Sequence, residues 1–197
     1  MLLNTSIALE NDFVRLEPLS HDHAADLALA AEGLDRAWYT SVPAPNEVHA
    51  EIDRRLAWHA EGHMNPWSIR RLETDRIVGM TTYCHIDQPN RHVEIGYTWI
   101  SLSAQRTAVN TAAKLLLLGH AFDECDAIAV EFRTHWHNRQ SREAIARLGA
   151  KQDGVLRNHR MGPDGTLRDT VVFSILPHEW PAVRLGLQER LRRGGPS

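Results

Sequence analysis

The segment Val93-Glu94-Ile95-Gly96-Tyr97-Thr98-Trp99-Ile100 decides the fold, together with the loop and the helix that follow it. Its bulky residues alternate at the two-residue period of a strand with one packed face. The loop is Ser101-Leu102-Ser103-Ala104-Gln105-Arg106, and the pattern then becomes helical from Thr107 to Phe122. The sequence therefore predicts a strand that leads through a short polar loop into a long helix.

Apolar residues form one wide stripe along this predicted helix. Five of them follow the i, i+3, i+4, i+7, i+8 spacing of a single helix face: Val109, Ala112, Ala113, Leu116 and Leu117. Leu115, Leu118 and Ala121 widen the stripe. Such a helix is expected to be largely buried in a layer packed on a sheet.

The start of the helix has the features of an anion site. Its first backbone N–H groups have no partner within the helix, and the helix dipole adds partial positive charge there. No acidic residue occurs between Gln105 and Asp123. A ligand with a phosphate group and an ordinary N-capped core helix both fit this pattern. The common glycine-rich dinucleotide motif and the P-loop motif are absent from the sequence.

Length and composition predict one soluble globular domain spanning residues 1–197. The chain has 43% hydrophobic and 24% charged residues, which is typical of globular proteins. A chain of this size buries roughly 70% of its unfolded surface, so it needs no disulfides to hold a core. The net charge of -3 argues against a broad nucleic-acid surface.

Cysteine content and hydropathy predict a cytoplasmic protein that does not enter a membrane. Cys84 and Cys125 are too few for a disulfide framework, and we interpret both as reduced. No signal peptide is evident, and no stretch reaches the roughly 18 apolar residues of a membrane span. His135-Trp136-His137 has no third ligand at a diagnostic spacing, so no metal site is predicted.

The remaining elements alternate between strand and helix patterns. A strand at 13–19 precedes helices at 23–32 and 47–60, the second capped by Asn46. A hairpin follows at 67–72 and 76–83, and a polar loop spans 86–91. After the long helix, a strand at 127–134 is expected to lie parallel to the strand at 93–100. The last elements are a helix at 138–150, strands at 154–160 and 170–176, a helix at about 178–193 and a frayed tail at 194–197.

This order of elements, with its motifs, resembles the GNAT acyltransferases. The similarity is greatest to the branch that includes the ribosomal-protein N-terminal acetyltransferases RimJ and RimL. The motifs are Glu94-Ile95-Gly96-Tyr97, the loop from Gln105 to Thr111, Asn138-x-x-Ser141, Leu148-Gly149-Ala150, Gly154-Val155-Leu156-Arg157 and Arg168-Asp169-Thr170. The resemblance implies an α+β (mixed α/β) fold. Its central, mostly antiparallel sheet has seven strands, with splayed parallel strands four and five, and is flanked by helices.

The resemblance also implies acetyl-CoA as cosubstrate, bound where the strands at 93–100 and 127–134 splay apart. The pyrophosphate motif R/Q-x-x-G-x-G/A reads Gln105-Arg106-Thr107-Ala108-Val109-Asn110 here. Ala108 and Asn110 replace its small residues, and Ala112 replaces a Glu that is frequent in this branch. The implied CoA-binding residues are Trp99, Ile100, Gln105, Arg106, Thr107, Ala108, Val109, Asn110, Thr111, Asn138 and Ser141.

Three residues are the candidates for catalysis. By resemblance, Ser141 lies near the sulfur, where a hydroxyl can stabilise or protonate a leaving thiolate; a capping residue is the alternative. Glu94 and Glu131 each interrupt an apolar alternation, and either could accept a proton from the attacking amine. For each glutamate the alternative is a structural ion pair, such as Glu131 with Arg133 or Arg168. Backbone N–H groups at a bulge after Glu94 are expected to stabilise the oxyanion.

The implied reaction is transfer of an acetyl group from acetyl-CoA to a primary amine by direct attack. The acceptor is a protein N-terminus or a small-molecule amine, and its pocket is expected between the first two helices and the Trp38–Pro45 loop. Neither cysteine has the setting of a nucleophile. Two alternatives stay open because of Ala108 and Asn110: a different acyl donor or reaction, and a non-catalytic CoA-binding or partner-binding module. The family also implies a homodimer.

Overall fold

An eight-stranded sheet lies at the centre of the computed structural model, which describes residues 1–34, 38–40, 42–162 and 164–194. The strands are β1 (Leu9–Glu10), β2 (Val14–Pro18), β3 (Met64–Arg71), β4 (Arg76–Asp87), β5 (His92–Ile100), β6 (Ala129–His135), β7 (Lys151–Met161) and β8 (Leu167–Ile175). The helices are α1 (Ala24–Ala31), α2 (Val48–Ala60), α3 (Ala108–Gly119), α4 (Arg139–Leu148) and α5 (Trp180–Arg192). The spatial order of the strands is β1-β2-β3-β4-β5-β6-β8-β7.

The sheet is antiparallel except where β5 meets β6. These two strands pair in parallel at only three positions, the last of which joins Glu94 to Glu131. Beyond this pair they separate, and the part of the chain that the structure describes contains no further pairing between them. The predicted mixed fold with splayed parallel strands is confirmed. The seven predicted strands correspond to β2–β8, and the two-residue strand β1 was not predicted.

The helices cover the two faces of the sheet as separate layers. Helices α3, α4 and α5 share one face with a core that includes Val93, Ile95, Leu117, Val130 and Phe132. Helices α1 and α2 cover the opposite face over β3 and β4, with a core that includes Leu27, Val48, Ile52, Met80 and Trp99. Each such side chain contributes roughly 1.5–3 kcal/mol when fully buried, so the two cores fix both helix layers against the sheet.

The helix predicted from Thr107 to Phe122 is present with a modified end. Thr107 is its N-cap, and the α-helical part ends at Gly119. The chain then makes one π-helical turn from His120 to Glu124. The hydroxyl of Tyr83 on β4 donates to the Leu117 carbonyl near this end. The last turn is therefore held to the sheet by a buried hydrogen bond.

Several predicted boundaries differ from the structure. Asn46 is not the N-cap of α2, because a 3-10 turn over Pro45–Glu47 precedes the helix and the Glu47 carboxylate accepts from the Ala44 N–H at 2.8 Å. Strand β4 continues to Asp87, into the predicted polar loop. Residues 195–197 of the predicted tail lie outside the described residues. Among the described residues, no helix has the length and apolar character needed to span a membrane.

Candidate active site

A β-bulge interrupts β5 where it begins to leave β6. Met80 pairs with Trp99 and Thr82 with Gly96, so two residues of β5, Tyr97 and Thr98, face a single residue of β4. Tyr97 has a φ of +49°, in the left-handed region that non-glycine residues rarely adopt. Such a conformation persists only where the surroundings hold it, and it often marks a functional site.

Arg55 of α2 holds the bulge from one face of the sheet. Its Nη2 donates to the Tyr97 carbonyl at 3.1 Å, and its Nη1 donates to Thr82 Oγ1 at 2.7 Å. Its Nε donates to Glu51 Oε1 at 2.7 Å. Arg55 is 1% exposed and Glu51 8%. Burial lowers the pKa of Arg55, and the paired carboxylate of Glu51 opposes that shift.

Lys114 of α3 holds the bulge from the other face. Its Nζ donates to Thr98 Oγ1 at 2.8 Å and to Thr81 Oγ1 at 3.3 Å. The side chain is 6% exposed and forms no salt bridge with an acidic residue in the described chain. Burial lowers the pKa of Lys114 from 10.5 to about 7. The amine is therefore partly neutral at physiological pH.

Sequence reasoning did not select Lys114 or Arg55. A signal for Lys114 was present, because it is the only charged residue from Ala108 to Gly119 in an otherwise apolar or uncharged helix. A charge inside a predicted buried stripe requires a polar partner. Arg55 has no comparable signal in the sequence, since arginine is common on the exposed face of a helix.

The two candidate carboxylates lie side by side where β5 and β6 separate. Glu131 is held on both oxygens: His92 Nε2 lies 3.2 Å from Oε1, and Arg133 Nη2 lies 2.7 Å from Oε2. The ion pair of Glu131 with Arg133 that we considered as an alternative is thus present. Glu94 is 6% exposed and uses only Oε2, which lies 2.7 Å from His85 Nδ1 and 3.5 Å from Arg133 Nε.

The second oxygen of Glu94 occupies space that Gly96 leaves open. A Cβ atom at Gly96 would lie 2.9 Å from Glu94 Oε1 and 2.9 Å from Cys84 Sγ. Glu94 Oε1 has no hydrogen-bond partner among the described residues. Of the two glutamates, Glu94 is therefore the one with a free acceptor oxygen near the bulge.

Cys84, His85 and Glu94 bring three possible metal ligands within 4.8 Å of one another. Two guanidinium groups adjoin this cluster, since Arg133 lies 3.5 Å from Glu94 and Arg160 lies 3.4 Å from His85 Nε2. Burial, and then the charge of Glu94, raise the pKa of the Cys84 thiol well above its usual value. A protonated thiol beside two fixed cations is a poor site for a divalent cation.

The start of α3 presents backbone donors next to a cleft. Thr107 Oγ1 accepts from the Val109 N–H at 3.3 Å, and no acidic residue stands in the first turn. Arg106 is exposed and adopts a φ of +59°. A cleft of about 450 Å³ adjoins Thr107, Ala108 and Val109. Arg71, Asp12 and Glu73 line the other side of this cleft, and the N–H groups of the first turn can receive an anion there.

Asn138 and Ser141 lie at the start of α4. Asn138 is the N-cap, and its Oδ1 accepts from the Ser141 N–H at 3.0 Å. The hydroxyl of Ser141 has no hydrogen-bond partner among the residues described by the structure. Asn138 thus fills the capping position, and the Ser141 hydroxyl is available to a ligand.

Two further predicted CoA-binding residues end β5. The side chain of Trp99 packs in the core under α1 and α2, on the face of the sheet away from α3. Ile100 packs in the core shared with α3, and its carbonyl accepts from Gln105 Nε2 at 3.1 Å. A contact of Trp99 with a cosubstrate on the α3 side would therefore involve its backbone.

The face of the sheet that carries α1 and α2 holds an aromatic cluster at the end of β6. Trp38 lies 4.8 Å from His135 between ring centroids, and Tyr39 lies 5.8 Å from the same ring. His135 and His137 are 5.4 Å apart. The connection between α1 and α2 therefore reaches the end of β6 beside the splayed strands.

The fold and the split sheet define a class of acyltransferase. Residues 14–151 match the family model described as an acetyltransferase (GNAT) domain. This chain therefore belongs to the GNAT acetyltransferases. The "Putative ribosomal N-acetyltransferase YdaF" of Bacillus subtilis (strain 168) is 33% identical over 167 residues, which cover 84% of this chain and 90% of that protein.

Solved structures support the same assignment. A GCN5-related N-acetyltransferase from Brucella melitensis has a TM-score of 0.84 and 27% identity, covering 95% of this chain and 86% of that one. Mycobacterium smegmatis RimJ in complex with CoA-disulfide has a TM-score of 0.76 and 20% identity, covering 100% and 99%. The chain is an acyltransferase, and its likeness to RimJ is one of fold.

Proposed function

We propose that this protein transfers an acetyl group from acetyl-CoA to a primary amine by direct attack of the amine on the thioester. The observation that carries the proposal is the separation of β5 from β6 directly after Glu94 and Glu131, beside the bulge at Tyr97. Helices α3 and α4 begin on one side of this gap, and a free carboxylate oxygen lies on the other. M. smegmatis RimJ, which has the same fold, is described in complex with CoA-disulfide.

The residues proposed to hold the cosubstrate are those at the start of α3 and α4. The N–H groups of Ala108 and Asn110 and the guanidinium of Arg106 face the pyrophosphate, and Asn138 contacts the pantetheine arm. Acetyl-CoA supplies the activated acetyl group. Backbone N–H groups at the bulge stabilise the oxyanion that forms on the acetyl carbonyl. Arg55 and Lys114 keep this backbone in place.

Glu94 is the proposed general base. An alkyl ammonium has a pKa near 10, so the amine must lose a proton before it attacks. Oε1 of Glu94 has no partner in the described chain, whereas the two oxygens of Glu131 contact the side chains of His92 and Arg133. Attack forms the C–N bond and places negative charge on the acetyl oxygen, and the C–S bond then breaks. The amine nitrogen loses its second proton, which the leaving thiolate takes up through the Ser141 hydroxyl. Glu131 then serves mainly to orient Arg133.

A kinetic comparison of three variants tests these roles. Thiol release from acetyl-CoA is measured against a panel of amines, and acetyl-CoA binding is measured by calorimetry. We expect Glu94→Gln to lower kcat about 10²–10⁴-fold with unchanged acetyl-CoA affinity. Ser141→Ala should have a smaller effect on kcat, and Glu131→Gln the smallest. Unchanged kcat in Glu94→Gln and Ser141→Ala would refute the site.

The same calorimetric experiment decides between this function and the alternatives. Micromolar binding of both acetyl-CoA and CoA would mean that Ala108 and Asn110 are compatible with the pyrophosphate. Absence of binding would favour a different acyl donor or a non-catalytic module. A protein N-terminus as acceptor, as the name of YdaF suggests for that protein, and a homodimeric state both stay predictions for this chain.

A further inference from the structure

Two arginines with no acidic partner among the described residues lie opposite each other on β7 and β8. Arg160 and Arg168 occupy directly opposed positions in the antiparallel register of these strands. Like charges at such positions destabilise a sheet. Neither guanidinium lies within 4.0 Å of a carboxylate among the described residues, although Arg133 and Arg157 nearby are both paired. The opposed pair therefore has a cost in stability that the described chain leaves uncompensated.

Arg168 is the more buried of the two arginines. Its Nε is fully buried and has no hydrogen-bond partner among the described residues. Burial lowers the pKa of Arg168, and the charge of Arg160 lowers it further. Buried guanidinium donors are normally satisfied by a carboxylate or a carbonyl. The Nε–H of Arg168 is therefore available to an acceptor atom of a ligand.

His135 adds a second unpartnered donor in the same region. The side chain is 4% exposed, and its Nδ1 accepts from the His137 N–H at 3.0 Å. The ring proton of the neutral imidazole is therefore on Nε2, which is buried and has no partner in the described chain. Burial, and then the charge of Arg168, lower the pKa of His135.

These donors border the proposed base rather than the CoA side. Arg160 Nη2 lies 3.4 Å from His85 Nε2, and His85 Nδ1 lies 2.7 Å from Glu94. Arg168 is also close to Glu94, because the negative charge of Glu94 opposes the lowering of the Arg168 pKa. All these side chains lie on the face of the sheet opposite α3, where the Trp38 ring covers His135.

Resting on the proposed acetyl transfer, we propose that Arg168, Arg160 and the Nε2–H of His135 form a subsite for an anionic group of the acceptor. The preferred acceptor is then an amine that also carries a carboxylate or a phosphate. The planar guanidinium of Arg168 can bind either group through two parallel hydrogen bonds. Glu94 stands beside this subsite and receives the proton of the neighbouring amine.

Matched amines that differ only in the anionic group test the subsite. Each free amino acid is compared with its carboxamide, phosphoethanolamine with ethanolamine, and Asp-Ala-Ala-amide with Asn-Ala-Ala-amide. These three arms distinguish a main-chain carboxylate, a phosphate and an acidic first side chain of a peptide. In at least one arm we expect the anionic member to have a kcat/KM at least tenfold higher, mainly through KM.

Arg168→Gln should reduce this preference to less than threefold, mainly by raising KM for the anionic member. Arg168→Lys should keep part of the preference, because lysine keeps the positive charge but lacks the planar guanidinium.

The control is Arg76→Gln, which removes an exposed strand arginine and should retain the full preference. Since Arg168 has no acidic partner in the part of the chain that the structure describes, Arg168→Gln should leave the Tm unchanged or raise it. Equal use of both members in all arms, or a preference that survives in Arg168→Gln, would overturn the proposal.

Binding of reaction products separates this inference from the proposed function. N-acetylated amino acids and their carboxamides are titrated into the protein by NMR, which needs no turnover. We expect the carboxylate or phosphate products to bind at least tenfold more tightly, with the difference lost in Arg168→Gln. Indifference to the anionic group, or absence of product binding, would refute the subsite. If the protein does not turn over acetyl-CoA but still binds the anionic products selectively, the proposed acetyl transfer is refuted and the subsite is not.

Discussion

Lys114 donates a hydrogen bond of 2.8 Å to Thr98 Oγ1, so a buried amine of α3 is attached to the bulge of β5. From the opposite face, Arg55 donates to the carbonyl of Tyr97 at 3.1 Å. The strained residue of the bulge is thus held between two buried basic side chains. This arrangement keeps the backbone donors of the bulge in one orientation, as oxyanion stabilisation requires.

Lys114→Met should stabilise the protein and change the pH dependence of its stability. The pKa of Lys114 is about 7 in the folded protein and 10.5 without burial, so the unfolded chain binds more protons between these pH values. The contribution of Lys114 to stability therefore rises with pH from 7 to 10.5, by at most about 1.4 kcal/mol per pH unit, and levels off below pH 7. Denaturant unfolding at pH 7 and pH 9.5 measures this slope.

The Lys114→Met variant should lack that contribution, so its advantage over the wild type should be largest at pH 7. Lys151→Met is the control, because Lys151 is 76% exposed and pairs with Glu179 on the surface. A slope that is identical in wild type and Lys114→Met would contradict a neutralised Lys114. If the amine also fixes the bulge, kcat should fall in this variant although stability rises.

Arg55→Met should destabilise the protein by roughly 3 kcal/mol, because Glu51 and Thr82 lose a buried partner. The Tyr97 carbonyl would lose its anchor at the same time, so kcat should fall with little change in acetyl-CoA affinity. Arg54→Met is a matched control on the same helix, since Arg54 also contacts Glu51 but is 39% exposed. Its effect should stay below about 1 kcal/mol, as for other exposed pairs. Equal effects of the two variants would argue against a special role of Arg55.

Periodicity was sufficient to predict the layers of the fold, because each strand or helix carries its own apolar pattern. The polar interior was not predictable in this way. Arg55 meets Tyr97 across 42 residues and Lys114 meets Thr98 across 16, so only the assembled sheet shows that each has a partner. Glu94 and Glu131 could be selected because they interrupt local alternation. Their different settings depend on His85, His92 and Arg133, which converge only in three dimensions.

Gly96→Ala should impair catalysis through Glu94. The added Cβ would lie 2.9 Å from Glu94 Oε1 and 2.9 Å from Cys84 Sγ, so the carboxylate or the thiol must move. We expect kcat to fall at least tenfold and stability to fall by roughly 1–3 kcal/mol, as for other overpacked sites. Gly154→Ala on β7 is the control, because nothing lies within 4 Å of its Cβ position. A Gly96→Ala enzyme with normal kcat would mean that the position of Glu94 is not critical.

Arg106→Ala should weaken acetyl-CoA binding if its guanidinium meets a phosphate. The exposed position of Arg106 at the start of α3 makes this contact screened by salt, so the loss should be several-fold at low ionic strength and smaller at 1 M salt, where the Debye length is about 3 Å. Calorimetric titration with acetyl-CoA at both salt concentrations measures the difference. Arg106→Gly provides a second test, because glycine accepts the φ of +59° without strain and removes the same charge. Both variants should show the same loss of affinity, and an unchanged Kd in both would exclude a phosphate contact by Arg106.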